Sequence, residues 1–322
     1  MNNQEINYSK LVTWGFLFGG ALVFLLCIIA MFVPITPLSV KTNGYSLFQF
    51  FKYLAERMKN LYNPEFNGPR YVLAMILIII VPIVILGCGA LWGFKAIDAF
   101  KGQGKPNTIF PMFPPLFMIG LYRSFFCDGP VNYGRNFVMA GAILVTVAAI
   151  LSIGLYAADQ FLSGESRKPK QLLALLAKIG MCAVVSMVVM LRPVLEYGNN
   201  VKYLANQQTA AFYALNQASS GFGVFITSLI IPVYIVSCVL ACIAMPLSLI
   251  KTPLQLKGSQ TVALVITTGV PFVLYIFVLI LSSALSKYRP QLGVYMLGIS
   301  MSVYFIVAIA LHFLDVQPNV EE

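Results

Sequence analysis

Apolar runs of membrane-crossing length alternate with short polar connections along most of this chain. Seven are clear, over 11–33, 71–94, 137–156, 172–191, 222–250, 262–285 and 292–311. An α-helix rises about 1.5 Å per residue, so about 20 apolar residues cross a hydrocarbon core of about 30 Å. Each run therefore predicts a transmembrane helix. An eighth run, over 108–126, opens FPMFPP, and Pro111, Pro114 and Pro115 do not all fit a regular helix interior. A helix starting at Pro115 accommodates them, with LFMIGLYRSFF continuing across and Arg123 snorkelling to an interface. A re-entrant segment is the alternative.

One polar stretch has a period of its own. Between 46 and 62, apolar residues fall at Leu47, Phe50, Phe51, Leu54, Met58 and Leu61, opposite Gln49, Lys52, Glu56, Lys59 and Asn60. The spacing predicts an amphipathic helix, too polar and too short to span. Such a helix belongs at the headgroup boundary, with Phe50, Phe51 and Leu54 buried and Lys52 and Glu56 in water, four residues apart and able to pair. It either covers the outer end of its own bundle or rims a cavity and docks a partner.

The pattern then recurs. VKYLANQ at 201–207 matches FKYLAER at 51–57 with an offset of 150 residues, and the same offset pairs Pro82 with Pro232, Cys88 with Cys238 and Lys101 with Lys251. This predicts a tandem duplication. The first membrane unit is 1–163, with its amphipathic helix at 46–62. The second is 172–322, with an amphipathic helix over 200–217 in which Lys202 and Leu204 take the places of Lys52 and Leu54. The linker GESRKPKQ, 164–171, combines Gly, Ser, Pro and charge. Four spans per unit is an even number, so the units should be parallel repeats about an axis along the membrane normal. The expected fold is an all-α integral membrane protein of about eight transmembrane helices in two parallel four-helix units.

Composition agrees with this reading. The chain is 59% hydrophobic and only 10% charged, where soluble domains carry about 25% charged residues. The first run has no small-residue cleavage site after it and reads as a retained helix. A formal charge of +10 comes from Lys and Arg beside apolar spans, which suits anionic headgroups and lacks any nucleic-acid signature. Ten of the 21 basic residues fall on the inner side if the N-terminus is cytoplasmic, against eleven outside. That tie leaves the short basic connections to place both termini in the cytoplasm.

Chemistry is constrained by what the spans lack. No Asp or Glu sits near the middle of an apolar run, and the single histidine, His312, ends the last one. Ion-coupled transport is therefore disfavoured. Metalloprotease, Walker A and serine-hydrolase motifs are absent from the sequence. Six cysteines without a C-x-x-C pair read as small apolar fillers, and Cys238 with Cys242 lacks a neighbouring His or carboxylate. No enzyme activity, cofactor or metal is expected. Within ITTGVP, Thr267, Thr268 and Pro271 mark either a packed kink or a broken helix lining a path. Gly19 and Gly20 permit close helix approach. Arg123 and Arg192 are expected to anchor at lipid headgroups. The leading expectation is a non-enzymatic scaffold or accessory subunit of a membrane complex, binding protein partners and membrane lipids. The alternative is an uncoupled permease, channel or lipid-handling protein with a path between the units. An enzyme acting on a phosphate-bearing lipid through Arg123, Asp128, Arg135 and Arg192 is a weaker third reading.

Overall fold

A computed structural model of the chain describes residues 10–34, 45–58, 68–125, 129–130, 140–162, 195–197, 203–205 and 289–290. It also describes helical positions at 176, 239, 242–243, 246–247, 265–266, 268–270, 272–273, 276, 299, 302–303 and 305–310. The described part is mostly helical. Its continuous helices are α1 (Lys10–Phe32), α2 (Leu47–Met58), α3 (Gly68–Phe100), α4 (Phe113–Phe125) and α5 (Ala140–Leu162). Three are long and apolar enough to cross a membrane: α1, the Met75–Phe100 part of α3, and α5. The helical positions after 172 all fall inside the apolar runs expected there.

α1 packs antiparallel to both of its long neighbours. Against α3, Trp14 meets Phe100 edge-on with ring centroids 5.2 Å apart, Phe24 meets Trp92 at 5.6 Å, and Gly20 lies against the Trp92 indole. Against α5, Gly19 abuts Leu155, and the Gly141 N–H donates to the Pro34 carbonyl at 3.0 Å. The adjacent glycines thus serve two different neighbours, which is the close approach their sequence predicts. α3 carries Pro82 in its interior without interruption. Its exposed stripe, Ile76, Ile79, Ile83, Leu86 and Phe94, is as apolar as its buried one, Leu77, Ile78, Val81 and Ile85. In water such a helix would be buried all round; here the outward stripe is a lipid-facing surface.

α4 is the exception. Residues 111–121 are buried without a break, so this segment meets protein on every side. It begins at Phe113 after the turn Phe110–Met112, two residues earlier than a start at Pro115. The prolines still fit: Pro111 sits in the turn, and Pro114 and Pro115 occupy the first helical turn, where no intrahelical amide bond is lost. Asn107 caps the entry, its Oδ1 accepting from the Ile109 and Phe110 N–H groups at 3.0 and 2.9 Å. At 13 residues the helix is about 20 Å long. One core joins Val23, Cys27, Val81, Leu116 and Val145 to Val239, Cys242 and Ala308 of the later runs. Gly120 of α4 sets the junction with Val239, whose Cα lies 2.9 Å from where a Cβ on residue 120 would stand.

A small antiparallel sheet was not anticipated. Strands β1 (Gly129–Pro130), β2 (Leu195–Tyr197), β3 (Tyr203–Ala205) and β4 (Arg289–Pro290) line up in the order β1-β3-β2-β4. β2 and β3 are a hairpin, with Tyr197 opposite Tyr203. This corrects the amphipathic helix expected over 200–217 at the three residues described there: 203–205 is extended. Lys202 and 206–217 lie outside the described residues.

Candidate functional site

The sequence singles out α2 as its main interaction element, and the helix is built as its pattern predicts. Ser46 and Gln49 form a reciprocal capping box: the Ser46 N–H donates to Gln49 Oε1 at 2.9 Å, and the Gln49 N–H to Ser46 Oγ at 3.4 Å. Two amides that the helix cannot satisfy are satisfied before it begins. Leu47 and Phe50 are buried in the core and Phe51 packs against it. Leu54 continues that stripe by position; its side chain is outside the described residues. On the other face Lys52 and Glu56 are 80% and 62% exposed, with Nζ and Oε1 4.0 Å apart. A pair that open to solvent contributes a few tenths of a kcal/mol at most.

The burial decides which surface α2 can offer. Phe50, expected among the residues that bind a partner, packs inward on the protein's own helices. Among the described residues the outward side chains are Phe48, 46% exposed with its ring 5.4 Å from Phe32, together with Gln49, Lys52 and Glu56. The helix covers the end of its own bundle, and its polar face looks out.

The other expected positions are not gathered into one place. Thr268 is helical and fully buried, and its hydroxyl donates to the Val265 carbonyl of its own helix at 3.2 Å. Thr267 and Pro271, the other members of the expected path, lie outside the described residues, as does Arg192. Arg123 is two residues from the end of α4, with its side chain outside the described residues. Leu204 lies in β3 opposite Glu196 and Gly129. Among the described residues no group of three or more His, Cys, Asp or Glu could hold a metal. Cys27 and Cys88 are free thiols, and Cys27 and Cys242 are buried.

Two features escaped the sequence. The buried Thr108 hydroxyl donates to Asp159 Oδ2 at 3.1 Å, tying the approach to α4 to the last turn of α5. Spaced 51 residues apart, the two carry no local signal. The second is the end of α3, where Gly102 has φ +74°. There the Gly102 N–H donates to Ala99 and the Gln103 N–H to Asp98, closing a Schellman motif. FKGQGK contained that signal, a glycine just past the last apolar residue. The motif ends α3 and turns the connection that carries Lys101 and Lys105 toward α4. No protein-family model, curated protein or solved structure matches this chain.

Proposed function

We propose that the chain is a multi-pass membrane protein of about eight spans in two parallel four-helix units, acting as a non-enzymatic scaffold or accessory subunit that binds protein partners and lipid. The observation that carries this reading is the character of the described interior. It is one continuous apolar core, and the hydroxyls in the helix interiors at Thr146, Ser152 and Thr268 donate to carbonyls of their own helices, those of Ala142, Ala149 and Val265. A helix carries hydroxyls that way without offering them to a passing solute. The apolar surface faces outward instead, along α1, α3 and α5. Residues built to fill and to face lipid suit a protein whose work is assembly.

The sheet brings together connections from both expected units. Its hairpin has a local twofold axis that carries Leu204 onto Glu196 and Tyr203 onto Leu195. The same rotation carries Gly129 onto Arg289 and Pro130 onto Pro290, because Gly129 pairs with Leu204 and Pro130 with Tyr203, while Arg289 pairs with Glu196 and Pro290 with Leu195. Those flanking strands precede the fourth and the eighth expected spans. Both hairpin strands belong to the second expected unit, so this axis is local to the sheet, and only the flanking strands come one from each unit.

The test is purification of the full chain from its native membrane in mild detergent. A stoichiometric protein partner is expected, and F48A/K52E/E56K on the outward face of α2 should release it while leaving the unfolding midpoint in place. A chain that purifies alone and passes small solutes when reconstituted would overturn the reading.

A further inference from the structure

The end of the α1–α3 pair opposite α2 carries exposed lysines over about two helical turns. The antiparallel register sets residue 14 beside 100, 20 beside 92, and 24 beside 89. Continued by one turn, it brings Lys10 level with the connection that holds Lys101 and Lys105. Lys95 stands about one and a half turns back along α3. All four are exposed. The acidic side chain nearest in sequence to Lys95 and Lys101, Asp98, is half-buried.

The lysines are not needed to finish the helix. Backbone amides of Lys101, Gly102 and Gln103 already occupy the carbonyls of Ile97, Ala99 and Asp98, which removes the usual structural use of cations at a helix C-terminus. Their immediate surroundings are lipid-facing. Trp14, Leu91, Phe94, Ile97 and Phe100 are each at least half exposed on the same end of the two helices. A band of apolar and aromatic surface bounded by ammonium groups matches the structure of one ligand class, an acyl chain capped by an anionic headgroup.

We infer that Lys10, Lys95 and Lys101 form a recognition surface for anionic phospholipids, the ammonium groups meeting headgroup phosphates while the exposed apolar band of α1 and α3 receives the acyl chains. An acidic segment of a partner protein would satisfy the lysines alone; it leaves the adjoining apolar band unexplained. Each lysine close to an anionic membrane surface contributes about fivefold to association. The effect weakens as salt shortens the screening length. The inference rests on the reading of the chain as membrane-embedded and names a class of lipid for it.

The full chain is reconstituted into phosphatidylcholine vesicles carrying spin-labelled phosphatidylglycerol or spin-labelled phosphatidylcholine, and the motionally restricted fraction of each label is compared. The wild type should hold phosphatidylglycerol about fivefold or more over phosphatidylcholine at low salt, and less at high salt. K10Q/K95Q/K101Q should bring the two labels together, K10R/K95R/K101R should retain the preference, and K52Q at the opposite end should leave it unchanged. A preference that survives the triple glutamine variant overturns the inference, as does one that falls equally with K52Q. So does a wild type without preference, including one whose lysines prove to capture an acidic protein. Should the triple variant fail to insert, the single variants K10Q, K95Q and K101Q decide: each must lower the preference. Failure of the wild type to insert into any vesicle would sink the membrane reading itself, whereas insertion without lipid preference sinks only this inference.

Discussion

Glycines in these helices look alike in sequence and differ in what they face. A Cβ on Gly19 would stand 2.7 Å from Leu155 Cδ2, the tip of a flexible side chain. On Gly20 it would meet three atoms of the Trp92 indole at 2.8 Å, and on Gly120 the Val239 Cα at 2.9 Å. A leucine tip can turn aside, but an indole wedged between helices and a main chain cannot without moving the elements that carry them. Overpacking of that kind costs about 1–3 kcal/mol. G20A and G120A should therefore lower the midpoint of unfolding in detergent, with G19A less affected. G87A, whose Cβ would meet nothing within 4 Å, should show no loss. The pair at 19 and 20 was legible because adjacent glycines in an apolar run announce close packing. Gly120 was not, because the helix opposite it belongs to a run more than a hundred residues away.

The four letters KYLA occur twice and form two kinds of structure. At 52–55 they are helical, and at 203–205 the last three are a strand. What differs lies upstream. The first copy begins with Ser46 and Gln49, which satisfy each other's amides and start the helix; the equivalent positions of the second copy are Glu196 and Asn199, followed by Asn200 in LEYGNNVKYLA. Gly and Asn between two short segments rich in β-compatible residues are a hairpin signal, and it outweighs the repeat. Similarity between copies was thus a poor guide to local structure where the capping residues had changed. For α2 the period gave the helix and its apolar face, yet amphipathicity alone cannot distinguish lipid or a partner from the protein's own core as the surface that face meets. The capping box makes a direct prediction. S46A should weaken α2 by about 1 kcal/mol, seen as faster amide exchange over 47–50. The overall unfolding midpoint should move little, because Leu47 and Phe50 remain packed.

At the scale of the whole molecule, the pattern of apolar runs gave the three long helices to within a few residues at most ends, while the sheet that joins distant connections left no periodic trace in strands of two and three residues. Yet the sheet is where the arrangement of the halves can be tested. Pro130 and Pro290 both lie on its outer strands, where a missing amide costs no ladder bond. Directly opposed residues in an antiparallel pair have Cα atoms about 4.5–5.5 Å apart, within the range a disulfide spans. In a background cleared of native cysteines, G129C/L204C and E196C/R289C should therefore both cross-link rapidly. G129C/R289C places its cysteines on opposite edges, three strand spacings or about 14 Å apart, and should not. All four single cysteines should react with a membrane-impermeant thiol reagent from the same side. That joint outcome requires the connections before the fourth and eighth expected spans to share one face of the membrane, as an even number of spans between them demands. Reaction from opposite sides would remove the parallel relation of the two units, and cross-linking no faster than the mismatched pair would remove the sheet.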